Sequence, residues 1–294
     1  MQTGASPTVG EPKADTAPAS TLPLLVIALF LGLLIVLFFP VLVPMVKEWG
    51  FNEDMGHAFL VPLVAGYVVW QDRARILAQP LKPCWPALLL VVWSFCQMVL
   101  GFLGADFFVA RTAFLEAIIG VIWTVAGTAV LRTLAFPLFL LAFMIRIPLF
   151  IYQKITFDLQ LLASGLAEAA LQAIGIPVLR TGNVLELPNR QLQVVEACSG
   201  IRSLLSLTFL SLAYSQFFDN RRWMKLVLVV ATIPIAIAAN SIRIIITGLL
   251  SEYKSEWADG AYHALEGWVI FMLALFALMA VHRLICRFQR PARA

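Results

Sequence analysis

The sequence predicts an all-α protein that crosses a membrane several times. Of its 294 residues, 61% are hydrophobic and only 13% are charged, and the mean hydropathy is +0.89. Soluble domains carry about 25% charged residues, so the chain is too apolar for that class. It also contains several apolar runs that approach the roughly 20 residues of a membrane-spanning helix.

We predict about eight transmembrane helices. The first apolar run is too long for the core of a signal peptide, which indicates a retained first helix. The second span is short and the fourth contains Arg111 and Glu116, so the boundaries of these two stay open. The predicted spans are residues 23–44, 58–71, 86–103, 108–130, 133–150, 200–218, 225–247 and 264–284.

The membrane domain is predicted to extend from residue 23 to residue 285. Residues 1–22 are rich in Pro, Ala, Thr and Gly, a composition typical of a disordered tail. Residues 286–294 form a basic tail. The net charge of +4 lies in short loops and at the carboxyl end, where membrane topology explains it without a nucleic-acid partner.

Residues 151–199 are predicted to form an extracytoplasmic or re-entrant segment. Its first part repeats apolar residues at helical spacing and ends at Gly175, before Pro177, which favours an interfacial or partly re-entrant helix. Two short alternating runs follow, around Thr181-Gly182-Asn183 and Pro188-Asn189. They predict a small β-hairpin or meander.

Lysine and arginine set the predicted orientation, because both collect in cytoplasmic loops. With both termini in the cytoplasm, the inner segments hold twelve basic residues and the outer segments hold five. Four more arginines lie within or at the edges of spans. This bias predicts cytoplasmic termini.

With this topology, three polar groups from separate spans reach the outer membrane face. Cys198 precedes the sixth span, Arg243 lies near the outer end of the seventh, and His263 begins the eighth. A helix N-terminus stabilises thiolate, the reactive form of cysteine, and histidine exchanges protons near neutral pH. We therefore predict a joint active site. Supporting or substrate-binding candidates are Glu196, Arg202, Asn240 and His57.

Each group also has a purely structural interpretation. Cys198 alone could be a small buried residue, Arg243 a residue that extends towards the membrane surface, and His263 an interfacial polar residue. Their convergence on one face favours the functional interpretation. The four cysteines contain no CxxC pair, so neither a disulfide framework nor a zinc site is indicated.

At these residues the chain resembles the exosortase/archaeosortase family of integral-membrane cysteine transpeptidases. The similar motifs are EACSGIRSL with Cys198, NSIRI with Arg243, HALEGWVIF with His263, and the upstream GHAFLVPLVAGYVVW. The resemblance covers about residues 23–285. Archaeal relatives place an arginine where this chain has His263, so the resemblance is to bacterial exosortases.

The resemblance implies a sorting reaction at the periplasmic face of a bacterial inner membrane. Cys198 would be the nucleophile that forms a thioester, His263 the general acid and base, and Arg243 the cation that holds the oxyanion or the thiolate. No metal or organic cofactor is implied. The implied partners are secreted proteins with a Pro-Glu-Pro type signal, a transmembrane helix and a basic tail, together with an unknown acceptor nucleophile.

Other functions stay open at this point. A multi-pass transporter would line a path with intramembrane polar groups, usually near the midplane and often with an internal repeat, and no repeat is visible here. A non-enzymatic component of polysaccharide or protein export would not need Cys198. A hydrolytic membrane protease would share the first half of the transpeptidase reaction.

Overall fold

A computed structural model gives the fold of residues 22–188, 191–194, 200–219, 221–253 and 261–289, with the backbone alone at 22–24, 251–253 and 261–264. These residues form helices and one small sheet. The α-helices are α1 (Leu22–Leu37), α2 (Phe39–Phe51), α3 (Leu60–Gln71), α4 (Arg73–Leu77), α5 (Leu88–Leu103), α6 (Phe107–Ala126), α7 (Thr128–Thr133), α8 (Ala135–Leu141), α9 (Leu149–Ala173), α10 (Ile201–Phe218), α11 (Arg222–Tyr253) and α12 (Ala261–Phe288). Short 3-10 helices cover Glu53–Phe59, Trp85–Ala87 and Ala142–Met144.

Within the described residues, four helices are long and apolar enough to cross a membrane. They are Trp85–Leu103, Phe107–Ala126, Arg222–Leu250 and Leu265–Phe288. Two further pairs qualify if each bent pair counts as one span: Leu25–Leu37 with Phe39–Phe51, bent by 76°, and Ala135–Met144 with Leu149–Ala173, bent by 81°. A helical protein with several membrane spans is thus confirmed, whereas the predicted count of eight is not.

Two of the predicted spans do not qualify as membrane-crossing helices, each for a different physical reason. The predicted span 58–71 is represented by α3, whose 12 residues rise only about 18 Å, less than the roughly 30 Å of a hydrocarbon core. The predicted span 200–218 corresponds to α10, an 18-residue helix. Its apolar character is diluted by Arg202 and by four serines.

Helix α9 ends where the sequence predicts. Its C-cap is Ile174, and Gly175 follows with a φ of +87°. The amide of Ile176 donates to the carbonyl of Leu171 at 3.0 Å, and the amide of Gly175 donates to that of Gln172 at 3.0 Å. These two bonds form a Schellman motif, which satisfies the last carbonyls of the helix and favours glycine at its left-handed position.

The sequence predicted a small β-hairpin or meander here, and the structure has a meander. Strands β1 (Leu179–Thr181), β2 (Val184–Glu186) and β3 (Gln191–Gln193) form an antiparallel sheet in the order β1-β2-β3. In the register, Arg180 faces Leu185, and Leu185 faces Leu192. The sheet packs on α9 around the fully buried Leu185, in a cluster that also contains Ile244 of α11. The sheet therefore lies beside the residue that follows Arg243.

Helix α11 is the element that organises the carboxyl-terminal half, since α9, α10 and α12 all pack against it. It contains 32 residues, which corresponds to an axial length of about 48 Å. The helix includes Pro234 and continues past it without a break. The polar segment Asn240–Arg243 lies in its second half, so its position relative to α10 and α12 decides which groups meet there.

Candidate active site

Three predicted site residues lie wholly or partly outside the described residues. Glu196 and Cys198 belong to residues 195–199, of which nothing is described. His263 belongs to the first turn of α12, where the backbone alone is described. The structure therefore does not test whether these side chains meet, and the site has to be assembled from their described neighbours.

The start of α10 lies directly against α11. Gly200, two residues after Cys198, is the N-cap of α10 and has a φ of +79°. A Cβ atom built on Gly200 would stand 3.0 Å from both Cβ and Cγ of Asn240. Glycine avoids this close contact because it has no Cβ atom, and the positive φ at position 200 also favours glycine. The CSGIR and NSIR motifs are therefore in contact.

The same part of α11 lies against α12. A Cβ atom built on Gly267 would stand 3.4 Å from Cζ of Arg243, so the guanidinium covers this glycine. One turn along α11, the hydroxyl of Thr247 donates to Glu266 at 3.1 Å. Arg243 and Thr247 are four residues apart and share a helix face. Contacts of Arg243 and Thr247 therefore join α11 to the beginning of α12. Gly267, the residue that Arg243 covers, is four residues after His263.

These contacts bring three separate motifs to one place. Gly200 approaches Asn240, and Gly267 approaches Arg243, which is three residues further along α11. Of the predicted catalytic residues, Arg243 has a described side chain, and it is half-buried. Gly200, two residues after Cys198, and Gly267, four residues after His263, thus lie next to the segment of α11 that carries Arg243.

Arg202, a predicted supporting residue, is held by the 3-10 helix Glu53–Phe59. Its Nε donates to Oδ1 of Asp54 at 3.0 Å, and its Nη1 lies 2.8 Å from Oε2 of Glu53. The second oxygen of Asp54 accepts a hydrogen bond from the Tyr152 hydroxyl at 2.5 Å. Asp54 is buried, and Tyr152 is only 2% exposed. This buried carboxylate therefore connects α9 to the first turn of α10.

His57, the other predicted supporting residue, lies in the same 3-10 helix. Its Nδ1 is 3.4 Å from the hydroxyl oxygen of Ser206 on α10, and its ring packs near Phe209. Burial lowers the pKa of His57 from its ordinary value, because the charged imidazolium loses its hydration there. His57 therefore contributes a neutral ring to the contact between this helix and α10.

A second ionic group lies next to Tyr152. Glu48 at the end of α2 is 2.5 Å from Nη1 of Arg111 and 3.1 Å from Nη1 of Arg146. The Cζ atom of Arg146 lies 5.3 Å from the ring centroid of Tyr152, a cation–π distance. Arg111 of α6 is thus paired with a carboxylate from a different helix.

A separate polar cluster lies at the other end of α10, where the chain turns into α11. His282 Nε2 is 3.3 Å from Oδ2 of Asp219 and 3.4 Å from the sulfur of Cys286, and its Nδ1 is 2.9 Å from the hydroxyl of Tyr214. Arg221 donates to Asp219 at 2.5 Å and to Cys286 at 3.2 Å. Its guanidinium holds the pKa of Asp219 well below the ordinary range.

This cluster has the donor types of a zinc site, since Asp219, His282 and Cys286 offer atoms within 4.8 Å of one another. However, Arg221 already supplies the compensating positive charge to both Asp219 and Cys286. We therefore interpret the cluster as an ion pair that ties the α10–α11 turn to α12. The cluster lies at the opposite end of α10 from Arg202.

The fold and the site define a polytopic helical membrane protein with a polar centre built from several helix ends. Comparison with protein families places the chain in the transmembrane exosortase family (Exosortase_EpsH), whose pattern matches residues 49–280. The chain belongs to this family, because the match covers most of its length. No curated protein and no solved structure matches it.

The sequence did not single out Asp54, Tyr152 or Glu48, although each makes an ionic or hydrogen-bonded contact around the site. A signal was present for Asp54, because Asn52 precedes it by two residues and accepts a hydrogen bond from its amide at 3.0 Å. Such an Asx-type contact begins a short helix and marks an ordered turn. Its partner on α10 could not be identified from sequence.

Proposed function

We propose that this protein is a membrane-embedded cysteine peptidase and transpeptidase that cleaves the carboxyl-terminal sorting signals of secreted proteins. The observation that carries the proposal is the double contact of α11: Asn240 against Gly200 of CSGIR, and Arg243 against Gly267 of HALEG. Membership of the transmembrane exosortase family supports the same reaction class. The catalytic groups in this proposal are Cys198, Arg243 and His263.

The proposed reaction has two acyl transfers. The Cys198 thiolate attacks the scissile carbonyl carbon, and a thioester forms as the carbon–nitrogen bond breaks and His263 protonates the departing amine. An acceptor nucleophile then attacks the thioester, His263 takes the acceptor's proton, and the carbon–sulfur bond breaks to regenerate the Cys198 thiolate beside the protonated imidazole. Arg243 stabilises the oxyanion of each tetrahedral intermediate or the thiolate, because its fixed charge stands where negative charge develops.

The proposed substrates carry a Pro-Glu-Pro type signal, a transmembrane helix and a basic tail. A substrate anchored by its own helix presents its scissile segment at a constant depth, so a site at that depth gains positioning without a deep cleft. In this proposal the enzyme is a multi-pass protein of a bacterial inner membrane, with both termini in the cytoplasm and the site at the periplasmic face. Glu196, Asn240 and His57 are proposed to support the site.

The small sheet offers a way to bind the extended signal. Strand β3 pairs with β2 on one side, and within the described residues no strand covers its other edge. Its last residue, Gln193, lies five positions before Cys198. A substrate segment added to this edge would form main-chain hydrogen bonds and run towards the nucleophile.

The proposal is tested with Cys198→Ala and Cys198→Ser in membranes that contain a reporter protein with the three-part tail. Both variants should abolish formation of the shortened reporter, measured by mass. Cys96→Ala is the matched control, because Cys96 is an exposed thiol on α5, and it should process at the rate of the unchanged protein. Normal processing by Cys198→Ala would refute the enzyme and favour a transporter or an export component.

A second measurement separates transfer from hydrolysis. Mass spectrometry of the new carboxyl terminus should find the reporter joined to an acceptor if the enzyme is a transpeptidase. A free carboxylate would instead indicate water as the acceptor and a protease function. Either product requires the Cys198 thioester, so this measurement concerns the second step alone.

A further inference from the structure

Asp54 is the charged residue that joins three separate elements at the site. It belongs to the 3-10 helix Glu53–Phe59, accepts from Tyr152 of α9 at 2.5 Å, and accepts from Arg202 of α10 at 3.0 Å. These partners are 98 and 148 residues away in the chain. The contact with Arg202 falls in the first turn of α10, whose preceding residues carry Cys198.

The burial of Asp54 makes this arrangement costly to disturb. A carboxylate that is buried away from water destabilises the folded protein by several kcal/mol unless it is paired and hydrogen-bonded. Each oxygen of Asp54 has a partner, and the side chain is 11% exposed. Removing the charge would therefore deprive Arg202 of its buried carboxylate partner and leave the Tyr152 hydroxyl with an altered acceptor.

The contact also restrains the Arg202 guanidinium. Asp54 engages Nε, and Glu53 engages Nη1, so the planar group is held at two of its three nitrogens. The two carboxylates differ in burial, since the Glu53 side chain is 77% exposed and that of Asp54 is 11% exposed. Water screens the outer contact, so Asp54 supplies most of the orientation.

Tyr152 is held in turn by a cation–π contact with Arg146. Arg146 lies 5.3 Å from its ring centroid and is held by Glu48. A continuous chain of contacts therefore leads from Glu48 to Arg202, by way of Arg146, Tyr152 and Asp54. Displacement of the first turn of α10 would require several of these contacts to break together.

We propose that Asp54 is a positioning residue for the acyl-transfer centre: through its contacts with Tyr152 and Arg202 it holds the first turn of α10, and the cation on it, in register with the segment that carries Cys198. This inference rests on the proposed function. Asp54 does not touch the substrate in this proposal. Its loss lowers the rate of the chemical step and leaves substrate binding unchanged.

The test compares Asp54→Asn with Glu53→Gln in purified full-length protein in bilayer nanodiscs, with the reporter at varied mole fraction. Both substitutions remove one carboxylate charge next to Arg202, so Glu53→Gln is the matched control. A misplacement of about 1 Å can cost roughly 100-fold in rate, so kcat of Asp54→Asn should fall by about that factor. Its KM should change by less than about 2-fold, and Glu53→Gln should keep kcat within about 2-fold, as exposed ion pairs contribute little.

A purely structural role would lower the amount of folded enzyme without this split between kcat and KM. Active enzyme is therefore counted by alkylation of Cys198 in a background that lacks the other three cysteines. The proposal is overturned if Asp54→Asn keeps kcat per alkylated site, or if KM alone rises. If Asp54→Asn does not accumulate, Tyr152→Phe decides: a fall in kcat of about 10-fold supports the proposal, and an unchanged kcat overturns it.

Cys198→Ala in the same nanodiscs distinguishes this inference from the proposed function. If that variant still shortens the reporter, the enzyme assignment fails and the positioning role fails with it. If it is inactive while Asp54→Asn works normally, the enzyme assignment stands and the role of Asp54 alone is wrong.

Discussion

Gly200 and Asn240 approach so closely that no side chain fits between them. A Cβ atom on Gly200 would stand 3.0 Å from Cβ and Cγ of Asn240 and 3.3 Å from Nδ2. The backbone of Gly200 is also in the left-handed region, at a φ of +79°. Glycine is therefore required at the start of α10 for two independent reasons: Asn240 of α11 leaves no room for a side chain, and the backbone there is left-handed.

We expect Gly200→Ala to impair both stability and processing. The left-handed conformation costs about 1–2 kcal/mol for a residue with a side chain, and the contact with Asn240 adds to that cost. Gly175→Ala is the matched control, since Gly175 has a φ of +87° and a Cβ there would meet nothing within 4 Å. Both variants should lower the thermal unfolding midpoint in detergent. Gly200→Ala should lower it further and alone should slow processing, so equal effects of the two variants would contradict the packing argument.

Gly127, between α6 and α7, should tolerate substitution even less. Its φ is +87°, and a Cβ atom would lie 2.0 Å from the carbonyl oxygen of Lys82, which is part of the backbone and has little freedom to move. Strain and overlap together predict a loss of about 3 kcal/mol or more for Gly127→Ala. The yield of monodisperse protein and its unfolding midpoint report this loss. Gly66→Ala, in a position with nothing within 4 Å, should behave like the unchanged protein.

The Glu48 ion group should be sensitive to loss of its central charge. Glu48→Gln leaves Arg111, whose side chain is 8% exposed, without its anion. Breaking a buried pair by removing one partner costs about 3 kcal/mol or more, because the other charge stays buried. Glu168→Gln is the control: its partner Arg180 is 33% exposed, and pairs of that kind contribute about 1 kcal/mol or less. Equal unfolding midpoints for the two variants would contradict this difference.

Acid should destabilise the protein in part through His57. Its pKa in the folded protein lies below the ordinary value of 6.5, so the unfolded chain binds more protons as the pH falls through and below that value. The stability associated with the neutral ring is present above about pH 6.5 and is lost as the pH falls. Asp54 opposes this effect because its charge favours the imidazolium.

The measurement is the unfolding midpoint at pH 7.5 and pH 5.5 for the unchanged protein and for His57→Gln. Glutamine cannot take up the proton, so the variant should show a smaller decrease between the two values. One group contributes at most about 1.4 kcal/mol per pH unit, which limits the expected difference. An identical decrease in both proteins would show that His57 is not the group responsible.

Local features of the fold could be predicted because neighbouring residues determine them. The stop of α9 at Gly175 and the turn at Gly182-Asn183 depend on backbone conformations that few other residues adopt. The number of spans could not be predicted in the same way, since α10 combines the length of a span with Arg202 and several hydroxyls.

The site was predictable only as a convergence of motifs. Alternation of spans predicts that CSGIR, NSIR and HALEG share one membrane face, and the contacts of Gly200 and Gly267 bring parts of these three motifs together. The roles of Cys198, Arg243 and His263 stay predictions. The contact of Asp54 with Arg202 could not be foreseen, because it joins residues 148 positions apart through a side-chain geometry that no local pattern encodes.

If Arg243 serves the proposed reaction, the length of α11 links catalysis to the thickness of the host bilayer. Arg222 and Arg243 are on this one helix and are separated by about 32 Å along its axis, close to the roughly 30 Å of a hydrocarbon core. In the proposed topology, Arg222 lies near the headgroups of one leaflet and Arg243 near those of the other. Lipids with shorter or longer acyl chains would shift the guanidinium out of that plane or force the helix to tilt, so turnover should have an optimum acyl-chain length.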